Sequence, residues 1–183
     1  MKEGYSLKNQ LGLIHIICGD GNGKTTSSIG IIMRALGQKY KVVLAQFLKD
    51  GNSSELISLS QHENISIITG KDVKGFTKAM NDKELDIIRE NHNNHLKKVI
   101  EMCKKEEINL LVLDEVIDAI NYNLIDQNIL YDFIKNKPKN LEMILTGRNP
   151  NDFLLNNADY VSEVKKVKHP YDKGIMARRG VDC

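Results

Sequence analysis

The stretch Cys18–Ser28, CGDGNGKTTSS, decides how the rest of the chain is read. It ends as a phosphate-binding loop ends, in Gly23-Lys24-Thr25. The usual pattern, G-x-x-x-x-G-K-[ST], asks for glycine where Cys18 stands. Gly19 and Gly21 lie inside the loop instead and restore the lost backbone freedom. Glycines let backbone N–H groups turn inward as a nest around phosphate oxygens, and a following helix adds its positive N-terminus. Lys24 then supplies a point charge, and Thr25 a hydroxyl for Mg²⁺. The competing reading is a chance glycine-rich turn with a surface lysine. Asp20 would repel a triphosphate if aimed at it, so its side chain is expected to point away or to accept from backbone amides.

The flanks supply the context such a loop needs. Leu13–Cys18 (LIHIIC) reads as a buried strand before it, and Ile29, Ile32, Met33 and Leu36 recur at helical spacing after it, with Gly37 closing the helix. Further strands are expected at Lys41–Phe47, Ile65–Thr69, Ile108–Glu115 and Leu141–Gly147. Between them come a short helix near Ser53–Gln61, a loop over Gly70–Asn81, and a long helix from Asp82 with Leu85, Ile88, His92, Leu96, Val99 and Cys103 on one face. Another helix follows Asp126, and Pro150 suits the first turn of a short one. YVSEVKKVKH ends the sheet or lies along it. Strands that are apolar throughout and alternate with helices argue a mostly parallel sheet covered on both faces. The fold class is therefore α/β: a three-layer α/β/α, P-loop NTPase-like (RecA-like) domain. It spans 1–183, with a short N-terminal segment at 1–12 and a basic C-terminal tail at 164–183.

Bulk composition agrees. A chain of 183 residues with 41% hydrophobic and 27% charged side chains suits one globular domain with a real core. A formal charge of +2 does not point to nucleic acid. No apolar run is long enough for a membrane span, and no signal-peptide core is visible. Cys18, Cys103 and Cys183 have no C-x-x-C spacing, which favours free thiols in a reducing cytoplasm.

The second half of a phosphate site should be an acidic strand end. LLVLDE provides Asp114 and Glu115, and this strand is expected beside the first one, with its carboxylates reaching the Mg²⁺ shell. The bland alternative is a helix-capping Asp114 with a solvated Glu115. Glu115 would also suit a water-positioning role in a hydrolase, and no arginine-rich kinase lid is evident. Residue chemistry alone stops at an ATP-binding α/β protein.

GDGNGKTT, SSIGIIMRALG, VVLAQFLKDG, GFTK, LLVLDE, ILTGRNPNDFLLNNADYVSEV and VKHPYDKGIMARRGVD occur in this order. Together they resemble the P-loop ATP:corrinoid adenosyltransferases, from about Ile14 to the C-terminus. The resemblance implies transfer of the 5′-deoxyadenosyl group of ATP to Co(I) of a corrinoid, with triphosphate leaving and ATP lying reversed in the loop. It implies that Gly19, Asp20, Gly21, Asn22, Gly23, Lys24, Thr25 and Thr26 hold the triphosphate, with Arg34 and Arg148 near the nucleotide. Lys24, Glu115 and Arg148 are the implied catalytic set, and Thr25, Asp114 and Glu115 the implied ligands of Mg²⁺ (or Mn²⁺). Phe76, Lys78 and His169 match positions on the corrinoid side. A homodimer and a flavoprotein reductant are the implied partners, with no nucleic acid and no membrane.

Two departures keep open a regulatory ATP-binding module or weak ATPase: Asn22 replaces a family lysine and Lys78 a family tryptophan, in a chain without tryptophan. His92 and His95, three apart on the long helix, have the spacing of metal ligands, but packing is the simpler reading. The tail lysines and arginines read first as a solvated face. An ammonium is a poor substitute for a flat apolar wall under a corrin ring. Lys78→Trp is therefore expected to speed flavin-donor reduction of bound Co(II) roughly threefold to tenfold, the kinetic worth of one aromatic contact; stopped-flow absorbance reads the rate.

Overall fold

A computed structural model describes residues 11–70 and 80–182. Six strands form one parallel sheet: β1 (Ile14–Cys18), β2 (Val42–Gln46), β3 (Ile65–Ile68), β4 (Leu110–Asp114), β5 (Glu142–Gly147) and β6 (Tyr160–Glu163). The helices are α1 (Lys24–Gly37), α2 (Ser54–Leu59), α3 (Asp82–Lys105), α4 (Val116–Asn121), α5 (Gln127–Asn136) and α6 (Asp152–Asn157).

Alternation along the strands builds two cores. Val43, Ala45, Leu111, Leu113, Met143 and Leu145 face one side, where α3 contributes Leu96 and Val99 and α5 contributes Leu130 and Phe133. Val42, Leu44, Leu110, Val112 and Ile144 face the other, against Ile32 and Leu36 of α1 and Leu59 of α2. Successive strand residues point to opposite faces, so a strand buried on both faces must be apolar throughout. This is the expected three-layer arrangement. The α3 stripe is buried at Ile88, His92, Leu96, Val99 and Cys103. Its start is fixed by a capping box, in which Asn81 accepts from the Glu84 N–H and Glu84 accepts from the Asn81 N–H.

The strand order is β3-β2-β4-β5-β1-β6. β4 therefore does not lie beside β1 as expected, because β5 stands between them. Strand order is set by which crossover helices cover which face, and periodicity within a strand carries no such information. Gly37 closes α1 as its last residue, and a left-handed turn follows at Lys39. One smaller expectation shifts. Pro150 precedes the cap residue Asn151 and lies outside the first turn of α6.

YVSE extends the sheet as its outer strand next to β1. The chain after it runs against the loop: Val164 accepts from the Gly21 N–H and donates its own N–H to the Cys18 carbonyl. The approach is so close that a Cβ on Gly19, whose φ is +110°, would stand 2.4 Å from the Val164 oxygen. Gly19 is thus required for contact as well as for turning. Gly19→Ala is expected to cost roughly 1–3 kcal/mol of stability through strain and overpacking, seen as a lower urea midpoint at unchanged slope.

Candidate functional site

β1 delivers the chain into the loop, and α1 leaves it. Gly23, with φ +110°, occupies the cap position of α1, and no side chain caps that helix or places an acid in its first turn. The first-turn N–H groups are thus left for an anion. Lys24 Nζ lies 3.0 Å from the Gly21 carbonyl, folded over the loop. Burial lowers its pKa, Arg148 adds to this, and Asp118, Glu115 and Asp20 oppose it. Asp20 accepts from the Lys166 N–H at 3.0 Å, so its carboxylate is engaged by a backbone amide of the tail. That hydrogen bond, first among the causes, holds its carboxyl below the ordinary range.

Although β5 intervenes, the end of β4 still reaches α1. Asp114 is fully buried. Thr25 Oγ1 donates to its Oδ1 at 3.0 Å, and Thr146 Oγ1, from β5, donates to the same oxygen at 2.7 Å. Its Oδ2 accepts from Gln46 Nε2 at 3.2 Å and from Lys49 Nζ at 2.7 Å. Asp114 is therefore no helix cap. Glu115 is the residue at the cap position of α4, in left-handed geometry (φ 61°), and its N–H donates to Thr146 Oγ1 at 2.8 Å. That turn swings its carboxylate toward the loop, 3.9 Å from Lys49 Nζ. Burial raises the Glu115 pKa to about 7; Lys49 pulls it down, and Asp114 and Asp118 push it up.

A cavity of about 820 Å³ opens over the loop. Asp20–Thr26, Lys49, Glu115, Arg148 and His169 line it. The volume lies in the small-molecule range of roughly 300–1,000 Å³. Arg148 follows β5 directly, with its side chain exposed to the cavity and its N–H donated to Asp118 Oδ2 at 3.1 Å. His169 opens the 3-10 turn Pro170–Lys173, its Nδ1 accepting from the Tyr171 N–H.

Not every expected residue gathers here. Arg34 lies exposed on α1 and lines a separate hollow with Ser27, Ile31, Ser162 and Val164. It is on the sheet-edge side of the helix, away from the cavity over the loop, because ten helical residues beyond Lys24 its position has travelled most of three turns. Phe76 and Lys78 lie outside the described residues. Among the described residues no cluster of three His, Cys, Asp or Glu side chains has metal-site geometry. His92 is packed instead: it is buried, edge-on to Phe47, and its Nε2 accepts from the Leu48 N–H at 3.3 Å. Cys18 and Cys103 are free and buried, and no helix of the described residues is long and apolar enough to cross a membrane. Several tail charges are already paired, Lys166 with Asp172 at 2.7 Å and Arg178 with Asp182 at 2.8 Å.

Sequence reasoning missed Gln46, Lys49, Thr146 and Asp118. Lys49 has the largest consequence. Leu48 takes left-handed geometry (φ 58°), its N–H held by His92, and the chain then presents Lys49 to the carboxylates. Burial lowers the Lys49 pKa, but Asp114, with help from Glu115 and Glu55, outweighs this and holds the ammonium charged above its ordinary range. The signal was a charged residue at the end of the apolar run VVLAQF, where strand ends form the site of parallel sheets.

Glu115 sets a pH dependence. Its carboxyl keeps a proton in the folded protein that the unfolded chain releases between about 4.5 and about 7. Stability contributed by this group is therefore present at low pH and lost as pH rises through that window. His92, pushed down to about 4 mainly by burial, acts oppositely between about 4 and 6.5. The difference between wild type and Glu115→Gln isolates the first effect: Glu115→Gln is expected to gain stability over wild type as pH rises from about 4.5 to about 7, read by urea titrations across pH.

Comparison with known proteins agrees with this architecture. A solved structure of EssC (ATPases 2 and 3) from Geobacillus thermodenitrificans superposes with TM-score 0.52 at 14% identity, over 93% of this chain and 35% of that one, a likeness of fold alone. A corrinoid adenosyltransferase of Sinorhizobium sp. is 31% identical over 178 residues, covering 95% of this chain and 81% of the relative. The corrinoid adenosyltransferase of Escherichia coli (strain K12) is 29% identical over 177 residues, covering 96% and 87%. The family model for ATP:corrinoid adenosyltransferase BtuR/CobO/CobP matches residues 10–183. The chain belongs to the ATP:corrinoid adenosyltransferase family.

Proposed function

We propose that this chain, a corrinoid adenosyltransferase by family, joins C5′ of ATP to cobalt at the loop that opens this structure's main cavity. Co(I) supplies the electron pair. The Co–C5′ bond forms, the C5′–O bond breaks with its electrons passing to triphosphate, and cobalt ends formally as Co(III). The observation that carries this reading is the family match over residues 10–183, laid on a loop with an open helix N-terminus.

Charge develops on the α-phosphate oxygen in this reaction, so stabilisation is needed there. In a reversed nucleotide the γ-phosphate takes the position near the start of α1. Backbone N–H groups of Gly19–Thr26 hold the triphosphate, and Lys24 and Arg148 neutralise leaving-group charge. Thr25, Asp114 and Glu115 fit as the seat of Mg²⁺ or Mn²⁺, with Asp114 also accepting from the Thr25 hydroxyl. The donor set consists of hard oxygens, and an ammonium already sits among them, so the residues suit a divalent cation. Bound there, the metal supplies positive charge to the phosphates. His169, on the cavity rim, is read as facing the corrinoid. A homodimer, a flavoprotein reductant and a single-domain organisation are further parts of this reading, supported by the family resemblance.

One observation favours hydrolysis as the second reading. A Glu115 carboxyl titrating at about 7 is poised to act as a general base near neutral pH. Anaerobic incubation with ATP, Mg²⁺ and chemically reduced cob(I)alamin separates the two. The expected products are adenosylcobalamin, seen by its spectrum, and intact triphosphate, whereas ADP and phosphate without a Co–C bond would replace the first reading by the second. In the same assay Lys24→Met is expected to lower kcat/KM by roughly 10²–10³, the usual cost of removing one preorganised charge donor.

A further inference from the structure

Lys49 stands among the acidic and hydroxyl groups at the end of β4 and the start of α1. Its Nζ stands 2.7 Å from Asp114 Oδ2, 3.3 Å from Thr25 Oγ1 and 3.9 Å from Glu115 Oε1. These three side chains are the ones read above as the metal seat. An ammonium and a divalent cation cannot share such a seat, because like charges at contact distance repel strongly where water is scarce. Lys49 also lines the cavity over the loop, within the same wall as Thr25 and Glu115. Its side chain is long and flexible, and its backbone is anchored through the Leu48 N–H to His92.

We propose that Lys49 is a displaceable internal cation. In the nucleotide-free protein it neutralises Asp114 and closes the seat to metal. When a metal–triphosphate enters, the divalent cation takes the seat and the ammonium moves to the phosphate oxygens. The charge count favours the exchange. Asp114 exchanges one positive partner for another and is never left buried and unpaired. The tetra-anionic tail gives the expelled ammonium a destination, one that free metal does not bring. The site is thereby closed to free metal and open to metal–nucleotide. Lys49 also adds a phosphate cation to a loop that has Asn22 beside Gly23.

This rests on the reading of Thr25, Asp114 and Glu115 as the metal seat, and the experiment separates the two. Mn²⁺ binding is followed by electron paramagnetic resonance, with and without a non-hydrolysable ATP analogue, alongside melting curves. Wild type is expected to bind Mn²⁺ with the analogue and at least tenfold more weakly without it. Lys49→Met is expected to melt lower than wild type without metal, to bind Mn²⁺ at least tenfold more tightly than wild type without nucleotide, and to recover melting temperature when Mn²⁺ is added. Lys49→Arg, which keeps the charge, is expected to stay closed to nucleotide-free Mn²⁺. Lys49→Gln serves the same purpose as the methionine variant if that one fails to fold. The proposal is overturned if neutral variants gain no nucleotide-free Mn²⁺ binding while wild type binds Mn²⁺ with the analogue normally. If Thr25→Ala and Glu115→Gln both leave analogue-dependent Mn²⁺ binding unchanged, the seat itself is misassigned and the proposal falls with it.

Discussion

A carboxylate removed wholly from water must find partners for both oxygens, and Asp114 finds four. Those partners come from α1, from the end of β2, from the turn after it, and from β5. One buried side chain thus ties together the segments that build the mouth of the cavity. Removing any one donor leaves a buried acceptor short, which costs more than the bond itself contributed. The cooperative network fixes the orientation of the Thr25 hydroxyl at the start of α1. Thr146 does double duty: it donates to Asp114 and accepts from the Glu115 N–H, so the two acidic neighbours are fixed by one hydroxyl.

The electrostatics divide the site into two layers. At the foot of the cavity, Lys49 and the fully buried Asp114 neutralise each other. Above it, Lys24 and Arg148 face the cavity, and Arg148 adds to the cost that burial puts on the Lys24 charge. Glu115 lies between the layers, half-buried, protonated more readily than a surface carboxyl. Such opposed environments over a few ångströms are characteristic of ligand sites, where isolated protein charge is balanced only by the substrate.

Much of this was legible in the sequence. The loop, both flanking elements, the buried strands and the acidic strand end are local patterns, and local patterns report burial and turn geometry directly. Asp20 was legible as a residue that would point away from phosphate or accept from backbone amides, and it accepts from the Lys166 N–H. The position of β5 between β1 and β4 was not, since adjacency of parallel strands is decided by packing across the whole sheet. Lys49 and Thr146 were hidden for a related reason. A lysine after an apolar run reads as a solvated strand end, and a threonine inside a strand reads as ordinary β-former. Only the third dimension brings both to the same carboxylate. Arg34, a family position on α1 expected near the nucleotide, lies on a separate hollow beside β6.

The outer strand has one more effect. Val164 grips the loop from both sides of Gly19 and Gly21, and the Asp20 carboxylate grips the next stretch of tail through Lys166. The loop is therefore braced before anything binds. A glycine-rich segment free to wander would surrender that freedom on meeting a triphosphate, and the loss would be subtracted from its grip. Here the freedom was surrendered when the chain folded. Gly19 and Gly21 serve close approach at this site, and flexibility is what the brace removes.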